Sequence, residues 1–435
     1  MSTGTKASQD QARAGGGGAG AGHRHILVAT LRYPPYVAGG YELLTRDVVR
    51  ALEARGHRVT VLAGRGERFD GEPNVLPWLE PGLDDHEDLF AWSNGVSNAE
   101  RFRLHFLRLS NWRATQRALA QTGADALFFF NLGLVSLAPV IAARCSGVPT
   151  LGYIADLWPL NHWVRDWCGN LERAESKPIQ LAALTRAWRT FRGLTGLGRL
   201  LVPSEFVASE LERDGLEGSA LGVVPLGMAP EMARRAENFE ARQRGQDEPL
   251  RVVCSSMLWS GKGQHVLLEA CALAASRGVD LKLVLAGGGT TDYLDRLKAL
   301  AARPELEGRV TFRGMLESEE LSDELRSAHV FALPSQWGEP FGLATLEAMA
   351  HGLCPLVSHS GASPEIVRHE RDGLVFDASS AEKLAAGLER LANHENERVE
   401  FARSARERVR NDYAHSTFID RVESELDGIC AGATR

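Results

Sequence analysis

The chain has 435 residues, 44% apolar and 24% charged, with a formal net charge of −7 at pH 7. That length holds two or three domains with full cores, and that charge excludes a protein held on nucleic acid by bulk attraction. The six cysteines, at 145, 168, 254, 271, 354 and 430, make no CxxC pair and no zinc spacing; a disulfide or zinc scaffold is excluded and a reducing cytoplasm is the expected location.

Residues 1–22 are rich in Gly and Ala and lack the apolar stretch of a secretory signal, so they read as a disordered tail. No run of eighteen apolar residues follows, and no membrane span is expected. From residue 23, short apolar runs alternate with helical patterns. Strands are expected at 25–30 (HILVAT), 58–63 (RVTVLA), 126–131 (ALFFFN), 150–155 (TLGYIA) and 199–203 (RLLVP). A second series lies at 251–257 (RVVCSSM), 281–287 (LKLVLAG), 310–314 (VTFRG), 330–334 (VFALP) and 354–359 (CPLVSH). Helices such as 42–54, 264–276 and 319–327 separate them.

Near-continuous apolar strands followed by amphipathic helices predict parallel sheets covered on both faces. The polar patch EMARRAENFEARQRGQDE divides the two series. The expected architecture is therefore α/β, with two doubly wound, Rossmann-like domains at 23–230 and 251–412 joined by a charged linker at 231–250. Ser379 and Glu382 fit a capping box ahead of Leu384. Phe418, Val422 and Leu426 form one apolar stripe, making 413–435 a terminal helix and a candidate to pack back on the first domain.

The stretch 336–352 (QWGEPFGLATLEAMAHG) carries two carboxylates. Pro340 and Gly342 disfavour one continuous helix, so the helix is expected to begin near Leu343 and stop at Gly352. Glu339 then lies on the preceding loop, and Glu347 about one turn inside the helix. In an open parallel sheet, ligands bind at the carboxyl ends of strands, where the free N–H groups of a helix N-terminus suit a phosphate. Carboxylates flanking a phosphate repel it unless they bind hydroxyls, a role that sugar hydroxyls fill. A solvated loop residue and a surface helix residue are the plain alternative. Trp337 and Phe341 in the loop argue against it, because exposed loops seldom carry such side chains without a packing or ligand reason.

Residues 337–376 closely resemble the donor-site signature of family-four retaining glycosyltransferases (glycosyl transferases group 1) of the two-domain GT-B fold, and a looser resemblance runs from 25 to about 413. The resemblance implies that Glu339 contacts the hydroxyls of a donor sugar, that Glu347 holds the nucleotide ribose, and that the backbone of Phe341, Gly342 and Leu343 approaches the diphosphate. It also implies that Lys262, in the GKGQH run at 261–265, neutralises the diphosphate. The Gly39–Gly40 loop would close over the donor from the first domain, and Met315 would end the strand beside the base. A nucleotide-diphospho-sugar is the implied co-substrate, with no covalently bound cofactor and no metal.

Two departures stand out. The family usually carries Gly-Arg five to six positions before the lysine; here Ser256 and Met257 stand there, so one positive charge is lost and Arg32 or Arg313 is a candidate substitute. Many members carry His-Asp-x-Trp after the fourth strand; here the run is Ala155-Asp156-Leu157-Trp158. Asp156, Trp158 and His162 remain acceptor-side candidates, and Asp156 joins Glu339 and Lys262 as a candidate catalytic group. A structural reading of Asp156, as the cap of the next segment, stays open.

Other motifs carry less. The glycines at 287–289 follow a strand, but position 292 is Asp where the dinucleotide fingerprint needs Gly. The run 84–88 (DDHED) reads as solvated charge rather than a metal site. The basic amphipathic stretch 100–120 is read as a helix packed on its own sheet in preference to a membrane-surface helix. The resulting expectation is a retaining transferase that moves a sugar, UDP-linked by preference, to a hydroxyl of a small polar acceptor. A non-transferring nucleotide-sugar binder, a pseudo-glycosyltransferase and a GT-B epimerase are the alternatives. No motif encodes the sugar, the base, the acceptor or the oligomeric state.

Overall fold

The structure is a computed structural model that describes residues 22–37, 39–64, 74–81, 103–104, 106–158, 196–213 and 220–433. His162, the 84–88 run and residues 1–21 lie outside the described residues.

Two all-parallel sheets form. The first contains β1 (His25–Ala29), β2 (Arg58–Gly64), β3 (Val75–Leu79), β4 (Ala126–Phe129), β5 (Thr150–Tyr153), β6 (Arg199–Val202) and β7 (Leu221–Val223), in the order β3-β2-β1-β4-β5-β6-β7. The second contains β8 (Leu250–Ser255), β9 (Leu281–Ala286), β10 (Val310–Gly314), β11 (Val330–Leu333), β12 (Cys354–Ser358) and β13 (Leu374–Phe376), in the order β10-β9-β8-β11-β12-β13. Each sheet starts in its middle, winds outward to one edge, and returns to build the other. β1 therefore neighbours β4 and β8 neighbours β11, and these are the switch points at which such sheets bind ligands. The central strands are apolar on both faces, as helices on both sides require: Ile26, Leu27, Val28 and Ala29 are all fully buried.

The strands not anticipated, β3, β7 and β13, are all edge strands. β3 contains Pro77, which an edge position tolerates because one side of the strand needs no N–H. β7 and β13 are three residues each, too short for a periodic signal. At helix Ala381–Asn393 the cap is Ser380, one residue after the expected one; its side chain accepts from the Lys383 N–H, while Ser379 donates to Asp377.

The segment expected as a charged linker is anchored. It begins with a helix, Pro230–Arg235, and its arginines are tied to the second domain. Arg242 donates to the Ser327 carbonyl at 2.6 Å, and the Arg244 side chain donates to the Ala392 carbonyl at 2.7 Å. High charge in sequence signals exposure, yet guanidinium groups also satisfy the carbonyls left at helix ends. The helix in the basic stretch spans Leu109–Thr122 and packs on β1, β2 and β3 with Thr115, Ala118 and Leu119 inward.

After the second domain the chain returns to the first. Helix His415–Ala433 lies on β5 and on helix Gly40–Ala54, burying Phe418, Ile419, Val422 and Leu426. Ion pairs frame it: Arg55 with Glu423 and Asp420, Arg199 with Glu425, and Arg24 with Asp427, all within 2.9 Å. Where the chain crosses between domains, the Met228 N–H bonds the Tyr413 carbonyl at 2.8 Å.

Candidate functional site

The loop after β11 and the turn before helix Gln264–Ser276 are stitched together. The Gly261 carbonyl accepts from the N–H groups of Gln336 (2.8 Å) and Trp337 (3.2 Å). Gly263 has φ +70° and lies against the Pro334 carbonyl, where a Cβ would approach to 2.0 Å; the glycine after Lys262 is thus required by packing as well as by backbone conformation. The contact delivers Lys262 to Glu339. Nζ lies 2.7 Å from Oε1 and 2.9 Å from Oε2.

Glu339 is buried, at 3% exposure, and its Oε1 carries more of its contacts than Oε2. Ser335 Oγ and Trp337 Nε1 also donate to Oε1, the latter at 3.2 Å, and the Lys262 ammonium sits 5.5 Å from the centre of the Trp337 ring. The Glu339 carbonyl accepts from the Ala362 N–H at 2.8 Å. Trp337 therefore has a packing and bonding role that explains an aromatic residue in this loop.

Gly342 is the N-cap of helix Leu343–Ala350, with φ +115°, which a side chain would strain. The helix begins at the expected residue and its N-terminal amides open beside the Lys262–Glu339 pair. Glu347 is buried within the helix, and burial pushes its carboxyl above the ordinary range against the opposing pull of Arg235, whose Nη2 is 3.9 Å away.

Two cavities meet here and share Ser255, Ser256, Met257, Trp259, Leu343 and Ala344 in their walls. One, of about 690 Å³, is bounded by Glu347, Leu258, Gly288 and Met315. Met315 is 78% exposed, with Sδ 3.0 Å from the Gly288 nitrogen. The other, of about 530 Å³, lies between the domains and is bounded by Lys262, Glu339 and Phe341 on one side and by Gly40, Tyr41 and Asp156 on the other. Among the described residues, Lys262 is the one Lys or Arg in either wall. Arg313 points elsewhere, with Nε 2.9 Å from Glu324, and Arg32 is half-buried outside both walls. The place left by the missing arginine is polar but uncharged: Gln264 Nε2 donates to Ser256 Oγ and to the Met257 carbonyl, each at 2.9 Å.

On the first-domain wall, Gly39 caps helix Gly40–Ala54, and the Glu42 carboxylate accepts from the Gly39 N–H at 2.8 Å. Gly40 reaches the cleft opposite Leu343. Asp156 accepts from the Trp158 N–H at 2.7 Å, so it does cap the following turn, and it also faces the cavity. Burial raises its carboxyl to about 6. Trp158 is buried in the core, which removes it from direct contact with a ligand in the cleft. Among the described residues no group of three metal-ligating side chains converges.

Sequence reasoning missed Tyr41. It follows the Gly39–Gly40 turn, and its hydroxyl accepts from the Ala155 N–H at 2.5 Å, 114 positions away. Burial and the neighbouring Asp156 push its phenol well above the ordinary range, so it stays protonated. Ser335 and Arg235 were also missed. The first directly follows the β11 run; the second is hidden in the charged patch.

Two family models cover most of the chain: Glycosyltransferase Family 4 matches residues 38–231, and Glycosyl transferases group 1 matches residues 235–408. Over 205 residues the chain is 33% identical to the GDP-mannose-dependent alpha-(1-6)-phosphatidylinositol monomannoside mannosyltransferase of Mycobacterium tuberculosis, covering 46% of this chain and 52% of the relative; the match thus spans about half the length of that relative. An uncharacterized glycosyltransferase of Methanocaldococcus jannaschii is 24% identical over 89% of this chain and 94% of its own. Among solved structures, a glycosyltransferase from Rickettsia africae superposes with a TM-score of 0.68 at 16% identity, covering 94% of this chain and 98% of that one. Anabaena HepE, solved with UDP and glucose, gives 0.64 at 18% identity over 93% and 100%. With two parallel-sheet domains facing across a cleft and both family models matched in order, the chain belongs to the group 1 glycosyltransferases of family 4, with the GT-B fold.

Proposed function

We propose that the protein is a retaining glycosyltransferase that moves a sugar from a nucleotide-diphospho-sugar to a hydroxyl of a small polar acceptor in the cytoplasm, without a metal. The observation that carries this reading is the Lys262–Glu339 pair at the N-terminus of helix Leu343–Ala350, with Glu347 in the adjoining cavity. A diphosphate placed between the cavities meets one ammonium and the helix amides, which favour negative charge developing on the leaving group. Glu339 and Glu347 offer carboxylates to the sugar and the ribose.

In this reading the bond from the anomeric carbon to the phosphate oxygen breaks while the bond to the acceptor oxygen forms on the same face. The acceptor proton passes to the departing phosphate oxygen, so no covalent nucleophile is required. The two-domain cleft holds donor and acceptor close together and limits access of water. Asp156 stands on the acceptor side, and Gly39–Gly40 brings the first domain to the donor.

UDP-linked sugars are the first donors to test, since HepE was solved with UDP and with UDP-glucose. GDP-mannose is the second, from the name of the mycobacterial relative. The experiment is a thermal-shift panel of UDP-, GDP- and ADP-linked hexoses, followed by turnover of the best donor on polyol acceptors. An inverted anomeric product would remove the retaining mechanism, and no shift with any nucleotide-sugar would remove the donor reading.

A second reading, a nucleotide-sugar binder that transfers nothing, is favoured by Met257 and Ala155 standing where the family carries Arg and His. Donor binding with no glycosylated product across the acceptor panel would select it.

A further inference from the structure

The first-domain wall of the cleft pairs Asp156, an acceptor-side candidate, with Tyr41, a residue that no motif singles out. Tyr41 and Asp156 both face the cavity that also contains Lys262 and Glu339. The Tyr41 oxygen accepts from the backbone N–H groups of Ala155 and Asp156, and no acceptor for its own proton is found among the described residues. The Asp156 Oδ1 accepts from Trp158 N, which leaves Oδ2 with no donor among the described residues. The wall therefore presents one O–H donor beside one carboxylate acceptor. Both groups are half-buried and open to the cleft, and a ligand that supplies one acceptor and one donor can bond both at once. A sugar hydroxyl is such a group, since it donates and accepts at one atom.

Position 155 adds a second argument. Ala155 leaves the wall without a polar side chain at the start of the Asp-x-Trp run, and the phenol of Tyr41 comes from another element to lie on its backbone N–H. Helix Gly40–Ala54 thus brings a hydroxyl to the wall at this point.

We propose that Tyr41 and Asp156 together bind one hydroxyl of a sugar in the cleft, Tyr41 donating and Asp156 accepting, opposite the Lys262–Glu339 pair. This rests on the nucleotide-sugar reading above. Burial keeps the phenol protonated, as a donor must be. The hydroxyl can belong to the donor sugar or to a polyol acceptor, and the experiment separates the two.

Tyr41→Phe, Asp156→Asn and the unaltered protein are titrated calorimetrically with UDP-, GDP- and ADP-linked hexoses, and with UDP, GDP and ADP alone. Free nucleotide affinity should stay within about twofold. If the hydroxyl is on the donor, affinity for the preferred nucleotide-sugar falls about three- to tenfold in each variant. If it is on the acceptor, nucleotide-sugar affinity holds. The KM for the best acceptor among glucose, fructose 6-phosphate and myo-inositol then rises by a similar factor. Either result supports the pair. Unchanged nucleotide-sugar affinity together with unchanged acceptor KM overturns it. So do equal losses for free nucleotide and nucleotide-sugar, which mark a purely structural role. Absence of nucleotide-sugar binding by the unaltered protein instead overturns the donor reading, and this proposal with it.

Discussion

Lys262 donates to both carboxylate oxygens of Glu339, at 2.7 and 2.9 Å, although the two residues are 77 positions apart. Both side chains are largely buried, at 16% and 4% exposure. Removing one partner of a buried pair leaves a charge without compensation. Lys262→Met is expected to cost about 3 kcal/mol in stability, and adding Glu339→Gln to recover most of it. Denaturant unfolding of the two single variants and the double variant measures the coupling; additive effects would show that the pair is not energetically linked.

The two glutamates should separate in binding. Glu347→Ala is expected to weaken free nucleotide and nucleotide-sugar alike, by about 10- to 100-fold. Glu339→Ala should spare the free nucleotide and lower transfer by about 10²- to 10³-fold, as losing a positioned charge does. Titration with nucleotide alone distinguishes them. Normal turnover by both variants would remove this loop from the site.

Asp156 makes stability depend on pH. Its folded value, about 6, is raised above the ordinary 3.8 by burial. A group shifted in that direction favours the folded state fully below the unfolded value, and the benefit is lost as pH rises through the folded value. Asp156→Asn keeps an acceptor for Trp158 and carries no charge. It is expected to be more stable than the parent at pH 8, by on the order of 3 kcal/mol, with the difference vanishing as pH falls from 6 to 4. Thermal unfolding across that window checks it, and a gain that grows toward acid would contradict the assignment.

Ser204 Oγ donates to the Pro340 carbonyl at 2.6 Å, and Glu365 accepts from the Glu205 and Phe206 N–H groups at 2.9 and 2.8 Å. The first contact joins the first domain to the loop that carries Glu339, and the second joins it to the short helix Ser363–Ile366. Glu365→Ala should lower stability by about 1–2 kcal/mol, with Glu365→Gln losing less because it still accepts. Ser204→Ala leaves a buried carbonyl unpaired and is expected to reduce turnover more than nucleotide affinity, which steady-state kinetics and titration together resolve.

The fold is legible because parallel sheets announce themselves locally: HILVAT, ALFFF and VFALP are each buried on both faces. The edge strands β7 and β13 are not, since runs of three residues, LGV and LVF, carry no periodicity. The spacing of Glu339 and Glu347 is legible for the same local reason, with Pro340 and Gly342 marking where the loop ends and the helix begins. The Tyr41–Ala155 contact is invisible in the chain because it depends on how β1 and β5 are placed within one sheet. Arg242 and Arg244 mislead in the opposite direction, since composition counts them as solvated and the fold binds them to carbonyls.

Two segments, not one, connect the halves, and they are bonded to each other through Met228 and Tyr413. The second domain is therefore an insertion in the first, whose last helix closes the circle around it. Any hinge movement between the walls carrying Asp156 and Glu339 must therefore be absorbed by both segments together, beside Met228 and Tyr413.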